Sequence, residues 1–261
     1  MKIGFYINKQ KSEAAEIVRR LSDKARAFGL TVVQSSQPDI LLSLGGDGTI
    51  LRAVHQYPGV PVLGFNLGGL GYLASVSRRE FFRALKLLSK GKYRISERTL
   101  LEVNGCHRAL NDIVIMRSMS GHSTRLDLTA DGKLVAHYMA DGLIFATPTG
   151  STAYSLAAGG PVLMPDVDSI VITPMNPHAL SVRPVVIRDD GRFRVTARAR
   201  TAGNPLKIAV YADGELVRNL PEGKSVEITK STAVAHLVEL EGYDPYEVMV
   251  KKLGWSGSNV K

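Results

Sequence analysis

The sequence predicts an α/β domain built on a parallel sheet, then a mostly-β domain of sandwich or stacked-sheet type, then a helix at the C-terminus. Three observations predict it. Up to about Tyr93, apolar strand-like runs alternate with segments of helical spacing, the pattern of βα units. From there to about Glu239 the segments are short, often alternating, and separated by turn residues. From Gly242 the spacing is helical again.

The elements follow in order. Met1-Lys2-Ile3-Gly4-Phe5-Tyr6-Ile7 reads as a first strand. Ser12 to Phe28 carries Ala14, Ile17, Val18, Leu21, Ala25 and Phe28 at helical spacing, with Ser12 placed as N-cap and Gly29 just past the end. Val32-Val33 starts a short strand. Ile40 to Leu44 reads as a buried strand, Gly45 to Thr49 as a glycine turn, and Ile50 to Val54 as part of the next helix. Pro61 to Phe65 is another strand, followed by a glycine loop. Arg78 to Lys90 is a helix ended by Gly91. In the second half Asp131-Gly132, Asp190-Gly191 and Asp213-Gly214 stand between apolar runs and signal hairpins. The one helical exception there follows Thr149. In the tail, Asp244 fits an N-cap, Pro245 the first helical position and Glu247 the third. Lys251 and Lys252 suit the helix end, and Gly254 its stop.

At 261 residues, 44% hydrophobic and 22% charged, the chain is an ordinary globular protein of one large or two modest domains. No apolar run approaches the ~18 residues that span a bilayer. The N-terminus is too short and too patterned for a signal peptide. Cys106 is the only cysteine, so an intrachain disulfide and a Cys-rich zinc site are both excluded. These features place the protein in the cytoplasm. The net charge of +9 fits anionic partners: nucleic acid, a membrane surface or polyphosphorylated small molecules. The densest basic cluster, Arg192 to Arg200, alternates with apolar residues and reads as a strand with one wet, basic face.

The chemistry concentrates in a few segments. Gly45-Gly46-Asp47-Gly48-Thr49 joins a strand to a helix. A helix that opens on glycines presents free N–H groups and its positive dipole end, where phosphate sits well. A carboxylate there repels phosphate unless it takes a proton from a hydroxyl or helps hold Mg²⁺, so the loop suggests phosphoryl transfer. The plainer alternative is a tight turn needing glycine at positive φ, with Asp47 as N-cap. Asn66 opens a loop with Gly68, Gly69 and Gly71 that lets backbone approach a ligand. Asn111 and Asp112 head a buried strand; Asn111 can read an adenine edge and Asp112 can accept ribose hydroxyl hydrogens. Asp141 leads an apolar strand into Thr147-Pro148-Thr149-Gly150-Ser151-Thr152-Ala153-Tyr154-Ser155-Leu156-Ala157-Ala158-Gly159-Gly160-Pro161. Its small residues admit a flat ring, Tyr154 can stack on a base, and Thr152 and Ser155 can hydrogen-bond it. His178 reads as structural, no nucleophile constellation is evident, and the six histidines show no zinc spacing.

Taken in order, these segments resemble the NAD kinase family. The match rests on Gly45 to Thr49, the Asn66 to Leu73 loop, Asn111-Asp112 and Asp141 through Pro161, with the ending Lys252-Leu253-Gly254-Trp255 also similar. The resemblance implies a Rossmann-like domain carrying Asp47 and a β-rich domain that binds NAD. On that plan residues 1–98, joined by 240–261, form the first domain and 99–239 the second, with the C-terminal helix returning to the first. It implies transfer of a phosphoryl group from ATP, or inorganic polyphosphate, to the 2′-hydroxyl of the adenosine ribose. Asp47 would be the proton acceptor, with Gly46 and Gly48 as its backbone neighbours and Arg52 facing phosphate. Asn66, Asn111 and Asp112 would bind nucleotide, and Asp141 with Thr152, Ala153, Tyr154, Ser155, Leu156 and Ala157 would line the NAD pocket. Mg²⁺ would arrive with ATP, with no metal fixed in the protein. A homodimer or homotetramer is implied, and neither nucleic acid nor membrane is an expected partner. Met139 stands where some relatives have arginine, Ala146 where serine is common and Tyr72 where phenylalanine is common; Met139 puts a phosphate contact from that position in doubt. The rival enzyme is a lipid kinase of the diacylglycerol or sphingosine type. The non-catalytic rival is a dinucleotide- or nucleic-acid-binding protein using the same pocket.

Overall fold

The structure is a computed structural model describing residues 1–7, 14–34, 37–68, 71–117, 124–198 and 208–254. It divides into two compact units, residues 1–97 with those from Ala235 onward, and Arg98–Val234.

The first unit is α/β. Its strands β1 (Lys2–Ile7), β2 (Thr31–Val32), β3 (Ile40–Gly45) and β4 (Val62–Asn66) pair in parallel in the order β2-β1-β3-β4. β3 is buried along its whole length, as a central parallel strand must be when helices cover both faces. Helix α1 (Ala14–Ala27) and α3 (Phe81–Ser89) pack on one face, where Ile17, Leu21, Ala25, Phe81, Ala84, Leu85 and Leu88 meet Ile40, Leu42, Leu44, Leu63 and Phe65. Helix α2 (Asp47–Gln56) serves the other face, with Ile50 and Ala53 fully buried. Gly64 of β4 makes room for it, since a Cβ there would stand 2.4 Å from Ile50 Cδ1. The expected N-cap Ser12 lies outside the described residues. The helix expected from Arg78 begins with a 3₁₀ turn at Arg78–Glu80, because the Glu80 carboxylate turns back to accept the Ser77 N–H at 3.2 Å.

The second unit is β. Strands β5 (Tyr93–Val103), β6 (His107–Ala109), β7 (Asp112–Arg117), β8 (Thr124–Ala130), β9 (Lys133–Ala140) and β10 (Gly142–Ala146) come before a 3₁₀ turn at Thr149–Thr152 and a one-turn helix α4 (Tyr154–Ala157). Then come β11 (Ser169–Met175), β12 (Val185–Arg188), β13 (Phe193–Arg198), β14 (Ile208–Ala212), β15 (Glu215–Leu220) and β16 (Ser225–Leu240). One sheet runs β12-β11-β10-β7-β14-β15. A second pairs β9, β8, β13 and the first part of β16, all antiparallel. Alternate residues of both sheets meet in one core, Ile113, Ile115, Leu143 and Phe145 against Leu126, Leu128, Phe193 and Val195, which makes the unit a sandwich. The later part of β16 lies beside β4, with Leu237 opposite Val62.

Two of the expected hairpins form. Asp131-Gly132 and Asp213-Gly214 take positive φ at both residues, the type I′ geometry that suits a two-residue turn. Asp190-Gly191 does not make a hairpin: β12 pairs with β11, whereas β13 pairs with β8 and β16. The helix expected after Thr149 is shorter than its run of small residues suggests, because Ala153 breaks regular geometry and Gly159 takes φ +87°. The tail forms α5 (Pro245–Leu253), with the Asp244 carboxylate accepting the Tyr246 N–H at 2.8 Å and Gly254 left-handed at φ +68°; Trp255 lies outside the described residues. Among the described residues no helix is long and apolar enough to cross a membrane.

The basic residues on and beside β13 are paired with carboxylates, two arginines to each. Arg192 and Arg194 pair with Glu227 at 3.0 and 3.3 Å, and Arg198 joins Arg125 and His137 around Asp127. Burial pushes the Asp127 carboxyl up, but three donors at 2.6–2.7 Å outweigh it and hold the group at about 2. Arg200 lies outside the described residues.

Candidate functional site

Each unit carries one group of candidate residues. In the first, β3 delivers the chain to Gly46, and α2 begins at Asp47. Helix geometry leaves the first amides of α2 without intrahelical acceptors. The plainer reading of this loop fails on both counts. Gly45, Gly46 and Gly48 have no positive φ, and Gly46, not Asp47, is the N-cap residue. The Asp47 carboxylate reaches instead to the loop after β4, where Oδ2 accepts the Tyr72 N–H at 2.6 Å. Its Oδ1 accepts the amides of Leu73 and Ala74 at 3.0 and 3.1 Å. Gly71 permits this approach, because a Cβ there would stand 2.5 Å from Asp47 Oδ1. A carboxylate offers about four lone-pair sites, so Asp47 keeps one for a further donor.

The three loop glycines separate by cause. Gly45 is small because Thr49 packs on it, at 2.2 Å from the position of a Cβ. Gly46 and Gly48 would meet nothing within 4 Å. Glycine inside a helix costs roughly 0.5–1 kcal/mol relative to alanine, and no close packing among the described residues offsets that at Gly48. The open space on both sides of Asp47 fits the close approach of an external group. Asn66 sits beside Gly45 across the β3–β4 pair, at the carboxyl ends of parallel strands, where ligands bind in open α/β sheets. Its Oδ1 accepts the Gly68 N–H at 2.8 Å; Gly69 and Leu70 lie outside the described residues. Arg52 is exposed, five residues after Asp47 in sequence and roughly 7 Å along the helix axis.

In the second unit Asn111 and Asp112 stand at the head of β7, with Asp112 only 6% exposed. The Thr147 hydroxyl donates to the Leu110 carbonyl at 2.5 Å and accepts the Gly150 N–H at 3.0 Å. Gly150 packs on Asn111 so closely that a Cβ would lie 1.9 Å from the Asn111 carbonyl oxygen. The Asp112 carboxylate accepts the backbone N–H of Tyr154 at the start of α4. Burial first, and the charge of Asp213 second, push the Asp112 carboxyl up to about 7, with the Tyr154 N–H opposing both. Tyr154 projects from α4 with 43% of its surface exposed. Ala153 and Leu156 are half-buried beside it and Ala157 is exposed.

Several expected ligand contacts are occupied by the fold. The Ser155 hydroxyl is buried and lies 2.8 Å from Thr173 Oγ1, and the Thr152 hydroxyl donates to the Thr149 carbonyl at 3.2 Å. Both hold the turn in shape. Asp141 is not brought to Asn111 and Asp112. Ala146 of β10 pairs with Asp112, and Asp141 precedes the other end of that strand, about 17 Å away at strand rise. There Arg117 pairs with it at 2.9 Å and Asn176 donates to it at 3.0 Å. His178 is exposed, and its N–H donates to the Met139 carbonyl at 2.9 Å. Sequence reasoning missed Asp213, whose carboxylate accepts the amides of Leu110, Asn111 and Asp112; its only signal was an Asp-Gly turn. Among the described residues no group of three or more His, Cys, Asp or Glu could hold a metal ion.

These two groups fall in segments that match known proteins. A model of the ATP-NAD kinase N-terminal domain matches residues 32–93, and one of the ATP-NAD kinase C-terminal domain matches residues 110–240. An NAD kinase of Chlorobium luteolum is 36% identical over 281 aligned positions, covering 98% of this chain and 97% of that protein. The chain belongs to the NAD kinase family. An NAD kinase of Chlorobium limicola is 42% identical over 224 positions, covering 83% of this chain and 77% of its own length. Among solved structures, an NAD kinase from Archaeoglobus fulgidus in complex with ATP superposes with a TM-score of 0.81 at 25% identity, covering 98% of this chain and all of that one. A yeast NADH kinase complexed with NADH gives 0.88 at 24% identity over 99% of this chain and 88% of that one, which shows the shared fold. Asp47, Asn66, Asn111, Asp112, Tyr154 and Asp213 all lie inside the segments that define an NAD kinase.

Proposed function

We propose that the protein is an NAD kinase that transfers the terminal phosphoryl group of ATP, or of inorganic polyphosphate, to the 2′-hydroxyl of the adenosine ribose of NAD, giving NADP. The observation that carries this reading is Asp47 between two glycines whose Cβ positions meet nothing within 4 Å among the described residues. Asn111 and Asp112 hold the adenosine half, Asp112 through ribose hydroxyl hydrogens, and Tyr154 stacks on its ring. The one open lone-pair site of Asp47 orients the 2′-hydroxyl and takes its proton as the ribose oxygen bonds to the terminal phosphorus and the bond from that phosphorus to the leaving ADP, or to the shortened polyphosphate, breaks. Free amides at the head of α2, beside Gly46 and Gly48, receive phosphate oxygens. Mg²⁺ carried with the donor would supply charge neutralisation to the transferring group. Arg52 is left a long-range attraction for phosphate, and Asp141 plays no part at the adenosine end. The polar, hydrogen-bonded turn from Thr147 to Ser155 offers no apolar groove for a lipid, and the arginines on and beside β13 are each engaged by Glu227 or Asp127, which weakens a nucleic-acid reading.

Gly48→Ala tests the carrying observation. Among the described residues nothing lies within 4 Å of the added methyl, so the thermal midpoint should hold or rise, with a gain of up to about 1 kcal/mol in the helix, while turnover falls because the methyl occupies the space of the phosphoryl group. Stability and activity both unchanged, with normal ATP affinity, would remove the ligand from that space.

Tyr154→Ala should weaken NAD binding by about 1–3 kcal/mol, the worth of one base–aromatic stack. Alanine keeps the backbone N–H that reaches Asp112, and an exposed side chain adds little to the core, so the melting temperature should barely move. A sharp fall in melting temperature with unchanged NAD affinity would make Tyr154 a packing residue.

A further inference from the structure

Asp213 occupies the first corner of the β14–β15 turn at φ +49°, with Gly214 next at +82°. Asparagine suits that backbone as well as aspartate does, so the turn does not explain the charge. The carboxylate has other partners. Oδ2 accepts the Leu110 N–H at 2.7 Å, and Oδ1 accepts the amides of Asn111 and Asp112 at 2.7 and 3.2 Å. In return the Asp213 N–H donates to the Asp112 carbonyl at 3.0 Å. Three successive amides converging on one carboxylate form a charge-assisted clamp, and it grips the segment that presents Asn111 and Asp112.

We propose that Asp213 is the positioning residue of the dinucleotide site, fixing the backbone from Leu110 to Asp112 so that the Asn111 and Asp112 side chains stand ready for adenosine. The inference rests on the reading of those two residues as nucleotide-binding groups. Asp213 also faces Asp112 as a like charge. The groups that act on Asp112 are Asp213 from the β14–β15 turn and the Tyr154 N–H from α4, within a buried setting that raises its carboxyl to about 7. The ionised carboxylate offers both oxygens to ribose hydroxyl hydrogens, whereas the protonated acid gives up an acceptor site and adds a donor, so NAD binding near neutral pH releases a fraction of a proton and weakens as pH falls below about 7. Removing the Asp213 charge lowers that midpoint. The residue thus sets both where the ligand groups stand and the pH at which they are ready.

Two variants separate the clamp from the charge. Asp213→Asn keeps the turn but sets an N–H donor against the amides it now gathers. It should raise the dissociation constant for NAD roughly 10- to 100-fold, leave kcat at saturating NAD within about threefold, and shift the pH midpoint of NAD binding downward. Asp213→Glu keeps the charge but misplaces it by one methylene; it should weaken binding while the midpoint stays near the wild-type value. Calorimetry across pH, in buffers of different ionisation enthalpy, reads affinity and proton release together. The proposal is overturned if folded Asp213→Asn binds NAD normally, if the midpoint does not move, or if both variants fail to fold, which would make Asp213 a pillar of the domain. If the wild type makes no NADP, the functional reading fails; if it does and the variants behave as wild type, only the role of Asp213 fails.

Discussion

Asp47→Asn is expected to cut turnover by at least ~10²-fold, the scale of a lost general base. An amide keeps the shape of the side chain but cannot take the 2′-hydroxyl proton. The substitution also strikes the loop. The new side chain could keep its oxygen on the amides of Leu73 and Ala74, but its NH₂ group would then face the Tyr72 N–H that now donates to Asp47 at 2.6 Å. One donor left facing another costs about 1–3 kcal/mol, so a modest drop in thermal stability should accompany the loss of rate. NAD affinity should change little, because the proposed adenosine contacts are those of Asn111, Asp112 and Tyr154. Near-normal turnover in the folded variant would reduce Asp47 to a loop clamp.

Gly150→Ala should cost the most stability of any single methyl in the second unit. Its Cβ would lie 1.9 Å from the Asn111 carbonyl oxygen, 2.3 Å from the carbonyl carbon and 2.5 Å from Asn111 Cα. All three are backbone atoms, so no flexible side chain can yield. Either the 3₁₀ turn or the Asn111 segment must move, and each movement breaks the Thr147 bonds that join them. Overpacking of this kind costs typically about 1–3 kcal/mol and more where relief is blocked. The melting temperature should fall by several degrees, and NAD binding should fall with it because Asn111 and Asp112 are displaced. Differential scanning calorimetry and NAD titration of the folded fraction check both. An unchanged melting temperature with normal NAD affinity would show that the turn and Asn111 are not rigidly opposed.

What the sequence revealed was local. Helix α5 was readable because its cap, its proline and its terminal glycine all act within one turn, and each took its expected place. Asp131-Gly132 and Asp213-Gly214 were readable for the same reason. Asp190-Gly191 carries the same dipeptide but joins strands of different sheets, and no local signal says which sheet a strand will enter. The same limit governs the site. Asp47, Asn111, Asp112 and Tyr154 can be proposed as site residues from residue type and order alone. That Asp141 stands at the far end of its sheet from Asp112 follows from strand register, a tertiary property. The hydroxyls of Thr152 and Ser155 read as ligand groups because small polar residues are rarely so dense. They are used inside the turn, where a buried 3₁₀ segment needs acceptors and donors of its own. Asp213 escaped notice because a carboxylate in a hairpin corner looks like turn chemistry until its partners, about a hundred residues earlier, are seen.

The most direct test is to incubate the purified protein with ATP, Mg²⁺ and NAD and to measure NADP, with the Asp47→Asn protein alongside. The account predicts that NADP accumulates with phosphate on the 2′-oxygen of the adenosine ribose, and that the variant makes it at least ~10²-fold more slowly. No NADP from the folded wild-type protein with either ATP or polyphosphate as donor, or phosphorylation of diacylglycerol or sphingosine in its place, would contradict it.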